Sequence, residues 1–288
     1  MEFGTLKKTL GGHIDWVRAL TTLLNGDIVS GSADNTIRIW NGSDFSLKKI
    51  LTGHNEQVTA LTTLLNGDLV SGSGDNTIRI WNGSSLSLKK ILTAHSQWVR
   101  ALTTLLNGDL VSGSDDNTIK IWNVKDFSLK KILTGHNGNV RTLTTLLNGD
   151  LVSGSADNTF NIWNVNDFSL KKTLAGHDYR INTLTTLLNG DLVSGSNDNT
   201  IKVWSGNVLT YKKTLTEHAY WIYALTTLLN GDLVSGSGDN TIKIWNSNDL
   251  SLKKTLKGHN DTVMALTTLL NGDLVSGSAD KTIKIWSV

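Results

Sequence analysis

The chain has 288 residues and a formal net charge of only +2. Fourteen of its 27 basic residues form seven Lys-Lys pairs spread along the whole sequence, which argues against the clustered basic surface of a nucleic-acid-binding protein. The absence of cysteine excludes disulfide bonds and cysteine nucleophiles, and the lack of a signal peptide or a membrane-spanning apolar run predicts a soluble, cytoplasmic protein.

A repeat of 41 residues organises the sequence, and seven copies of it account for 287 of the 288 residues. One histidine column contains His13, His54, His95, His136, His177, His218 and His259, and one tryptophan column contains Trp40, Trp81, Trp122, Trp163, Trp204, Trp245 and Trp286. A fixed period of about 20–50 residues is typical of stacked or ring-closed repeat proteins. We therefore predict one domain over residues 1-288.

Each repeat is expected to contain short β-strands joined by turns, as the second unit illustrates. Asn66-Gly67 lies between two apolar segments and predicts a hairpin with a type I′ turn. The Ser-Gly-Asp-Asn sequence of residues 73–76 predicts a second turn. β-Branched and polar residues alternate from Thr77 to Trp81, which predicts the third strand. The segment from Ser87 to Leu92, which contains the lysine pair, predicts the fourth strand. No segment has a helical period.

A four-stranded sheet of this size cannot bury both faces alone, so neighbouring units must pack against it. Seven sheets arranged radially form a β-propeller, which leaves only short, protected edges. The predicted fold class is all-β, a seven-bladed β-propeller with four antiparallel strands per blade and the lysine pairs on the outermost strands, where charge discourages edge-to-edge aggregation. Residues 5-10 match a fourth strand, and we predict that this N-terminal strand completes the blade formed by 259-288.

Three short motifs resemble the Gly-His, Ser/Thr-x-x-x-Asp and Trp-Asp marks of WD-repeat propellers, and they do so over the whole chain. In the first repeat they are Gly12-His13, Ser-Gly-Ser-x-Asp34 and Trp40-Asn41. The last dipeptide departs from the family pattern, since it is Trp-Asn in five repeats and Trp-Ser in two. The resemblance implies a buried hydrogen-bond chain in every repeat. Its members would be Trp40, Ser30 or Ser32, His13 and Asp34 in the first repeat, and Trp163, Ser153, His136 and Asp157 in the fourth.

The histidines are better explained as scaffold than as catalytic or metal-binding residues. All seven occupy one repeat position, and an aspartate follows each of them 21 residues later. A buried His–Asp pair fixes one tautomer and satisfies buried polar groups. The Ser-Gly-Ser segment lacks the following helix of a nucleophile elbow, and no glycine-rich phosphate loop opens a helix. We therefore expect no enzyme activity, no catalytic residue, no cofactor and no metal.

Five positions of the repeat change their chemical character: the three residues after each histidine, the fifth residue after it, and the residue before each aspartate. In a four-stranded meander these positions lie at one end of the blade, opposite the Asn-Gly hairpins. They should converge around the mouth of the central channel, on the face that usually binds partners in WD-repeat propellers. Its large side chains are typical of interface hot spots. They are Trp16, Arg18, Trp98, Arg100, Arg141, Tyr179, Arg180, Tyr220, Trp221 and Tyr223.

Diversification of this face predicts a monomeric, non-catalytic module that recognises a protein or peptide. Neutral drift keeps chemical type, as between Arg38 and Lys120, whereas the change from Arg18 to Met264 does not. Blades five and six carry the most hot-spot residues, so a ligand is expected to favour that side. The alternative, suggested by the near-identical repeats, is an engineered or reconstructed scaffold without an evolved ligand.

Overall fold

Seven four-stranded antiparallel sheets make up the computed structural model, which describes residues 3–93, 95–206 and 208–288. The first strands of neighbouring sheets contact one another in a closed ring around a central channel. Each sheet is one blade, numbered 1 to 7 from the N-terminus. Within the described residues, no helix is long and apolar enough to cross a membrane.

Each blade contributes one strand to each of four positions, counted outward from the channel. The first strands are β2 (Val17–Thr22), β6 (Val58–Thr63), β10 (Val99–Thr104), β14 (Val140–Thr145), β18 (Ile181–Thr186), β22 (Ile222–Thr227) and β26 (Val263–Thr268). The second strands are β3 (Ile28–Ser32), β7 (Leu69–Ser73), β11 (Leu110–Ser114), β15 (Leu151–Ser155), β19 (Leu192–Ser196), β23 (Leu233–Ser237) and β27 (Leu274–Ser278). The third strands are β4 (Ile37–Trp40), β8 (Thr77–Trp81), β12 (Ile119–Trp122), β16 (Thr159–Trp163), β20 (Ile201–Trp204), β24 (Ile242–Trp245) and β28 (Ile283–Ser287). The outermost strands are β5 (Leu47–Leu51), β9 (Leu88–Thr93), β13 (Leu129–Leu133), β17 (Leu170–Ala175), β21 (Tyr211–Leu215), β25 (Leu252–Leu256) and β1 (Thr5–Leu10).

The ring closes where the N-terminal strand joins the last blade. β1 pairs antiparallel with β28, so that Leu10 stands opposite Ile283. Lys7 adds an ion pair to Asp273, with 2.5 Å between Nζ and Oδ1. The predicted fold class and the predicted closure are therefore confirmed.

Each apolar core lies between two blades rather than inside one. Seven clusters of buried side chains occur among the described residues, and each draws its members from two neighbouring blades. At the closure, Leu10 and Ile283 of blade 7 share a cluster with Trp40 of blade 1. The packing is so close that a Cβ atom on Gly31 would lie 2.6 Å from Cγ1 of Val58 in the next blade. The central glycine of Ser-Gly-Ser is therefore a packing residue.

The prediction of a type I′ turn at Asn66-Gly67 is wrong. Of these two residues only Gly67 has a positive φ, of 87°, whereas a type I′ turn needs positive φ at both. Its N–H donates to the carbonyl of Leu64 at 2.9 Å, which closes a three-residue hairpin loop with glycine in the left-handed position. Asn66 Oδ1 instead accepts a hydrogen bond from the N–H of Asp68 at 3.0 Å. This local bond favours a right-handed backbone conformation at Asn66. The loop therefore has three residues instead of the two of a type I′ hairpin.

A β-bulge interrupts the pairing of the first two strands in every blade. In blade 1, Val17 pairs with Ser32 and Ala19 pairs with Gly31, so Arg18 is an extra residue between them. The seven extra residues are Arg18, Thr59, Arg100, Arg141, Asn182, Tyr223 and Met264. They form the variable column five residues after each histidine. A bulge bends the strand and gives its extra residue a direction that regular pairing would not allow.

The lysine pairs lie on the outermost strands, as predicted, and make contacts that the sequence did not reveal. The Nζ atom of Lys48 lies 2.7 Å from a carboxylate oxygen of the buried Asp27. Lys49 donates to the carbonyl of Ser85 in the next blade at 2.9 Å. The first lysine of every pair makes the equivalent ion pair. These lysines therefore neutralise buried carboxylates, whose charge would be unfavourable if unpaired.

Removing the N-terminal strand should destroy the closure. Deletion of residues 1–10 would expose the edge of β28 and one side of the cluster shared by blades 7 and 1, so the protein should aggregate or lose much of its cooperative stability. Thermal unfolding by circular dichroism, combined with size-exclusion chromatography, measures this. Deletion of residues 1–2 alone is the control, since it leaves β1 intact. Equal melting of the ten-residue deletion and the full chain would contradict the role of the strand.

One turn residue of blade 7 has an unfavourable backbone conformation. The turn between the second and third strands ends with asparagine in six blades, at φ of 66° to 69°, but with Lys281 at φ 69° in the seventh. Asparagine tolerates the left-handed region better than lysine because its short polar side chain bonds locally. In blade 1 this asparagine, Asn35, also donates to the carbonyl of Asn55 in the next blade at 3.2 Å.

The substitution Lys281→Asn should therefore stabilise the protein by about 1 kcal/mol, because it relieves the backbone strain and adds a donor at the closure. The free energy of unfolding in urea measures the gain. Lys281→Ala is the matched control, since it removes the charge but keeps a left-handed residue without a polar side chain. A gain of the same size in the alanine variant would show that the lysine charge, rather than the backbone, is responsible.

Candidate functional site

A buried hydrogen-bond chain of four side chains, here called the tetrad, links two strands, a loop and a turn of each blade. In blade 1, Trp40 Nε1 donates to Ser30 Oγ at 2.9 Å, and Ser30 Oγ lies 2.8 Å from His13 Nε2. The other ring nitrogen, Nδ1, lies 2.8 Å from Asp34 Oδ2. Ser30 is thus the serine of the tetrad, while Ser32 accepts from the N–H of Asp34 at 3.0 Å.

The same geometry recurs in the other blades. In blade 4, Trp163 Nε1 lies 2.9 Å from Ser153 Oγ, which lies 2.8 Å from His136 Nε2. His136 Nδ1 lies 2.9 Å from Asp157 Oδ2. Every histidine of the series is buried, and each makes both bonds. Among the described residues, no group of three or more potential ligand side chains is placed to bind a metal ion.

Hydrogen bonds keep the tetrad carboxylates charged in spite of their burial. Burial by itself would raise the pKa of Asp34, but hydrogen bonds from His13 and Thr36 outweigh it and hold the pKa well below its usual range. The same balance lowers the pKa of Asp116 to about 2 in blade 3. There, burial lowers the pKa of His95 against the attraction of Asp116. The proton on Nδ1 faces the carboxylate, a tautomer assigned from the hydrogen-bond directions.

The tetrad aspartate also fixes the loops at one end of the blade. Asp34 accepts from the backbone N–H groups of Ile14, at 3.1 Å, and of Thr36, at 2.9 Å. Its carboxylate therefore ties the loop after the histidine to the turn between the second and third strands. The N–H of Ala33 donates to the carbonyl of Trp16 at 2.8 Å, which adds a second tie. The equivalent backbone bond is present in all seven blades.

We call the surface formed by these loops and turns the top face. In blade 1 it comprises residues 14–16 and 33, and in the other blades their equivalents. At its centre the seven bulge residues line one cavity of about 190 Å³, which we call the channel mouth. Below the mouth the channel is lined mainly by alanine, leucine and threonine side chains. The variable positions therefore surround the opening of a channel that, below the bulge residues, is lined by uncharged side chains.

Two arginines of the channel mouth are held by neighbours of their own blade. The guanidinium of Arg100 makes a bidentate contact with Asp115, with 3.0 Å from Nε to Oδ1 and 2.7 Å from Nη2 to Oδ2. It also lies 4.3 Å from the ring centroid of Trp98. In blade 1 the guanidinium of Arg18 lies 4.9 Å from the ring centroid of Trp16, which is 41% exposed. Stacking on an aromatic face restricts an arginine and favours its charge.

Arg141, in blade 4, has no such neighbours. Within the described part of the chain it lies more than 4 Å from any carboxylate oxygen and stacks on no ring. Burial, followed by repulsion from Arg100 and Arg180, lowers the pKa of Arg141 to about 10. Burial, followed by repulsion from Arg100, also lowers the pKa of Arg18. The channel mouth is therefore a partly desolvated site of concentrated positive charge.

Blade 6 places three aromatic rings in contact on the rim, a group we call the aromatic shelf. Tyr220 stacks on Trp221 with 4.9 Å between ring centroids, and Trp221 lies 6.2 Å from Tyr223. Across the blade boundary, the guanidinium of Arg180 lies 5.3 Å from the Trp221 centroid. The predicted residue Tyr179 is 62% exposed and, among the described rings, makes no contact with this group.

Some contacts of the site join two different positions of the repeat, so the variation at one position does not reveal them. Asp115, which orients Arg100, stands in a variable column but was not named as a site residue. Aromatic residues also cover glycines of another variable column: a Cβ on Gly238 would lie 2.4 Å from Tyr220 Cδ1. On Gly74 a Cβ would lie 3.0 Å from Cε2 of Trp98 in the next blade. The sequence signal for these contacts is the glycine before the aspartate, which leaves room for a neighbouring ring.

The architecture and its tetrads define a seven-bladed β-propeller built from one repeated supersecondary unit. The chain belongs to the WD40 family, because seven consecutive segments match the family model described as WD domain, G-beta repeat. The matched residues are 4–41, 45–82, 86–123, 127–164, 168–205, 209–246 and 250–287. A comparison with curated protein sequences gives no significant match. Propellers of this family are commonly used for protein interaction or scaffolding.

Removing one tetrad histidine should destabilise the fold. His136→Ala leaves Asp157 and Ser153 without their partner in a buried position, so the free energy of unfolding should fall by about 1–3 kcal/mol. Urea unfolding followed by tryptophan fluorescence measures the change. Asn137→Ala, at the exposed neighbouring position, is the control and should unfold like the parent chain. An unchanged unfolding midpoint for His136→Ala would contradict a structural role for the tetrad.

Proposed function

We propose that this WD40 propeller is a non-catalytic module that recognises a protein or peptide on its top face. The aromatic shelf is the observation that carries the proposal. Only blade 6 combines aromatic residues at all three positions, Tyr220, Trp221 and Tyr223, whereas blade 7 has Asp261, Thr262 and Met264 there. The repeat scaffold therefore does not require these rings, and grouped aromatic side chains at a surface are characteristic of interaction sites.

The shelf is suited to binding because its side chains are already ordered. Tyr220 and Trp221 stack on each other, and Arg180 covers Trp221 from the neighbouring blade. The amide oxygen of Asn197, assigned from its hydrogen-bond partners, accepts from Arg180 Nε at 2.8 Å. Rotamers fixed before binding lose less conformational entropy when a ligand arrives. The guanidinium also supplies donors for the carbonyl or acidic groups of a peptide.

The absence of catalysis in this proposal is supported by the uniformity of the titratable scaffold. The seven histidines and their aspartates make the same contacts in every blade. A general acid or base needs a position and a pKa matched to one reacting group, which normally distinguishes it from its equivalents. The top face instead carries ordered aromatic side chains and a positioned guanidinium group, which suit the recognition of a ligand.

Trp221 should be a binding hot spot. The full chain is first screened against an immobilised peptide array, and the affinity of the strongest binding peptide is measured by fluorescence anisotropy. Trp221→Ala should weaken that peptide by about 2 kcal/mol or more, roughly 30-fold. Its melting temperature should change little, because Trp221 belongs to none of the apolar clusters between blades. Thr262→Ala, the same column in blade 7, is the matched control.

Two outcomes would count against this assignment. Undiminished binding by a Trp221→Ala, Tyr223→Ala double variant would show that the ligand uses another face or another sector of the ring. An array on which the parent chain binds no peptide selectively would favour the alternative of an engineered or reconstructed scaffold without an evolved ligand.

A further inference from the structure

We propose that the channel mouth binds a phosphoryl dianion, with Arg18, Arg100 and Arg141 as the groups that hold it. This inference rests on the proposed use of the top face for recognition and names one chemical group of the ligand. The site adjoins the aromatic shelf, because Tyr223 belongs to both. Its three arginines come from the bulges of blades 1, 3 and 4, whereas Arg180 and Trp221 of the shelf lie on blades 5 and 6.

The three arginines reach one cavity because they occupy equivalent bulges. All seven residues that line the channel mouth come from this column, and none of the seven is acidic. The non-arginine members are Thr59, Asn182, Tyr223 and Met264. The threonine and asparagine are already engaged: Thr59 Oγ1 donates to the carbonyl of Val99, and Asn182 Nδ2 donates to the carbonyl of Ile222 at 2.9 Å. The guanidinium groups are therefore the main donors that remain for a ligand.

The charges around the mouth do not balance. The residues that line the mouth include three arginines and no acidic residue. Among the described residues, the one carboxylate within 4 Å of these arginines is that of Asp115, which pairs with Arg100, so two positive charges remain unpaired. A phosphate monoester carries a charge of about −1.5 to −2 near neutral pH, so one such group would neutralise the excess. A single carboxylate, with a charge of −1, would neutralise only half of the excess positive charge.

Among the described residues, two of the arginines have no carboxylate partner within 4 Å. The Nε atom of Arg18 is buried and has no hydrogen-bond partner among the described residues. Arg141 lacks a carboxylate within 4 Å in the same part of the chain. Arg100, by contrast, is positioned by Asp115 at 2.7 Å. A planar guanidinium binds phosphoryl oxygens through paired N–H groups, so an anion here would satisfy donors that the protein leaves open.

In the described part of the chain, the channel below the mouth has no charged side chain of its own. Its lining beneath the bulge residues includes Ala19, Leu61 and Ala265, with threonine at Thr142 and Thr183. The anion is therefore expected to stay at the mouth, where three guanidinium groups surround it, rather than to descend into the channel.

The experiment is a calorimetric titration of the full chain at constant ionic strength and about pH 7.5, above the second pKa of phosphate of about 6. The probes are inorganic phosphate, acetate, and a short Gly/Ser peptide with and without one phosphoserine. We expect saturable binding of phosphate at least tenfold tighter than that of acetate. Phosphopeptide binding tighter than free phosphate would assign the group to a peptide side chain, and equal affinities would assign it to a free phosphate.

Matched variants separate this site from general charge effects. Arg141→Met should weaken phosphate binding at least tenfold, as should Arg18→Met, which guards against a folding defect in either variant. Arg79→Met, on the third strand of blade 2 and outside the mouth, should bind phosphate like the parent chain. Phosphate should also raise the melting temperature of the parent chain but not that of Arg141→Met.

The inference is overturned if phosphate shows no saturable binding, or if Arg79→Met weakens it as much as Arg141→Met does. Those results are distinguishable from a failure of the proposed function. Selective, Trp221-dependent binding of an unphosphorylated peptide would still establish the recognition face, even if the channel mouth bound no phosphate.

Discussion

Packing between blades is the constraint on which every other feature depends. No blade has an apolar core of its own, because the buried side chains of each cluster come from two neighbours. A blade is therefore stable only when both of its faces are covered, and the ring must close. The close approach of Gly31 to Val58 and the shared cluster around Trp40 are local expressions of this requirement. The tetrads and the ion pairs of the outermost strands act on blades that packing has already brought together.

Much of the architecture could be predicted because periodicity carries the information. The 41-residue spacing implied the number of blades, and the position of residues 5–10 before the first histidine implied how the ring closes. The turn type at Asn66-Gly67 was predicted wrongly because an asparagine–glycine pair fits two kinds of hairpin loop. The choice between them depends on the hydrogen bond from the N–H of Asp68 to the Asn66 side chain, a contact that the dipeptide alone does not specify.

The candidate site was predicted less completely, since its contacts join positions far apart in the repeat. Variable columns indicated where Arg100 and Trp221 would lie, but not that Asp115 would orient the first or that Arg180 would cover the second. The bulges were also invisible in the sequence, because a bulge changes pairing without changing the alternation of residue types. These features follow from three-dimensional register and from the angle between neighbouring blades, which a one-dimensional period does not describe.

The bulge in the first strand has a consequence for how such a protein can change over time. A residue outside the regular ladder can be replaced without shifting the register of its neighbours, so Arg18 and Met264 occupy equivalent places in otherwise similar blades. Each blade thus offers one position at the channel mouth whose side chain is not dictated by the regular pairing of the strands. A ring of seven such positions can vary one blade at a time, while the shared scaffold maintains stability.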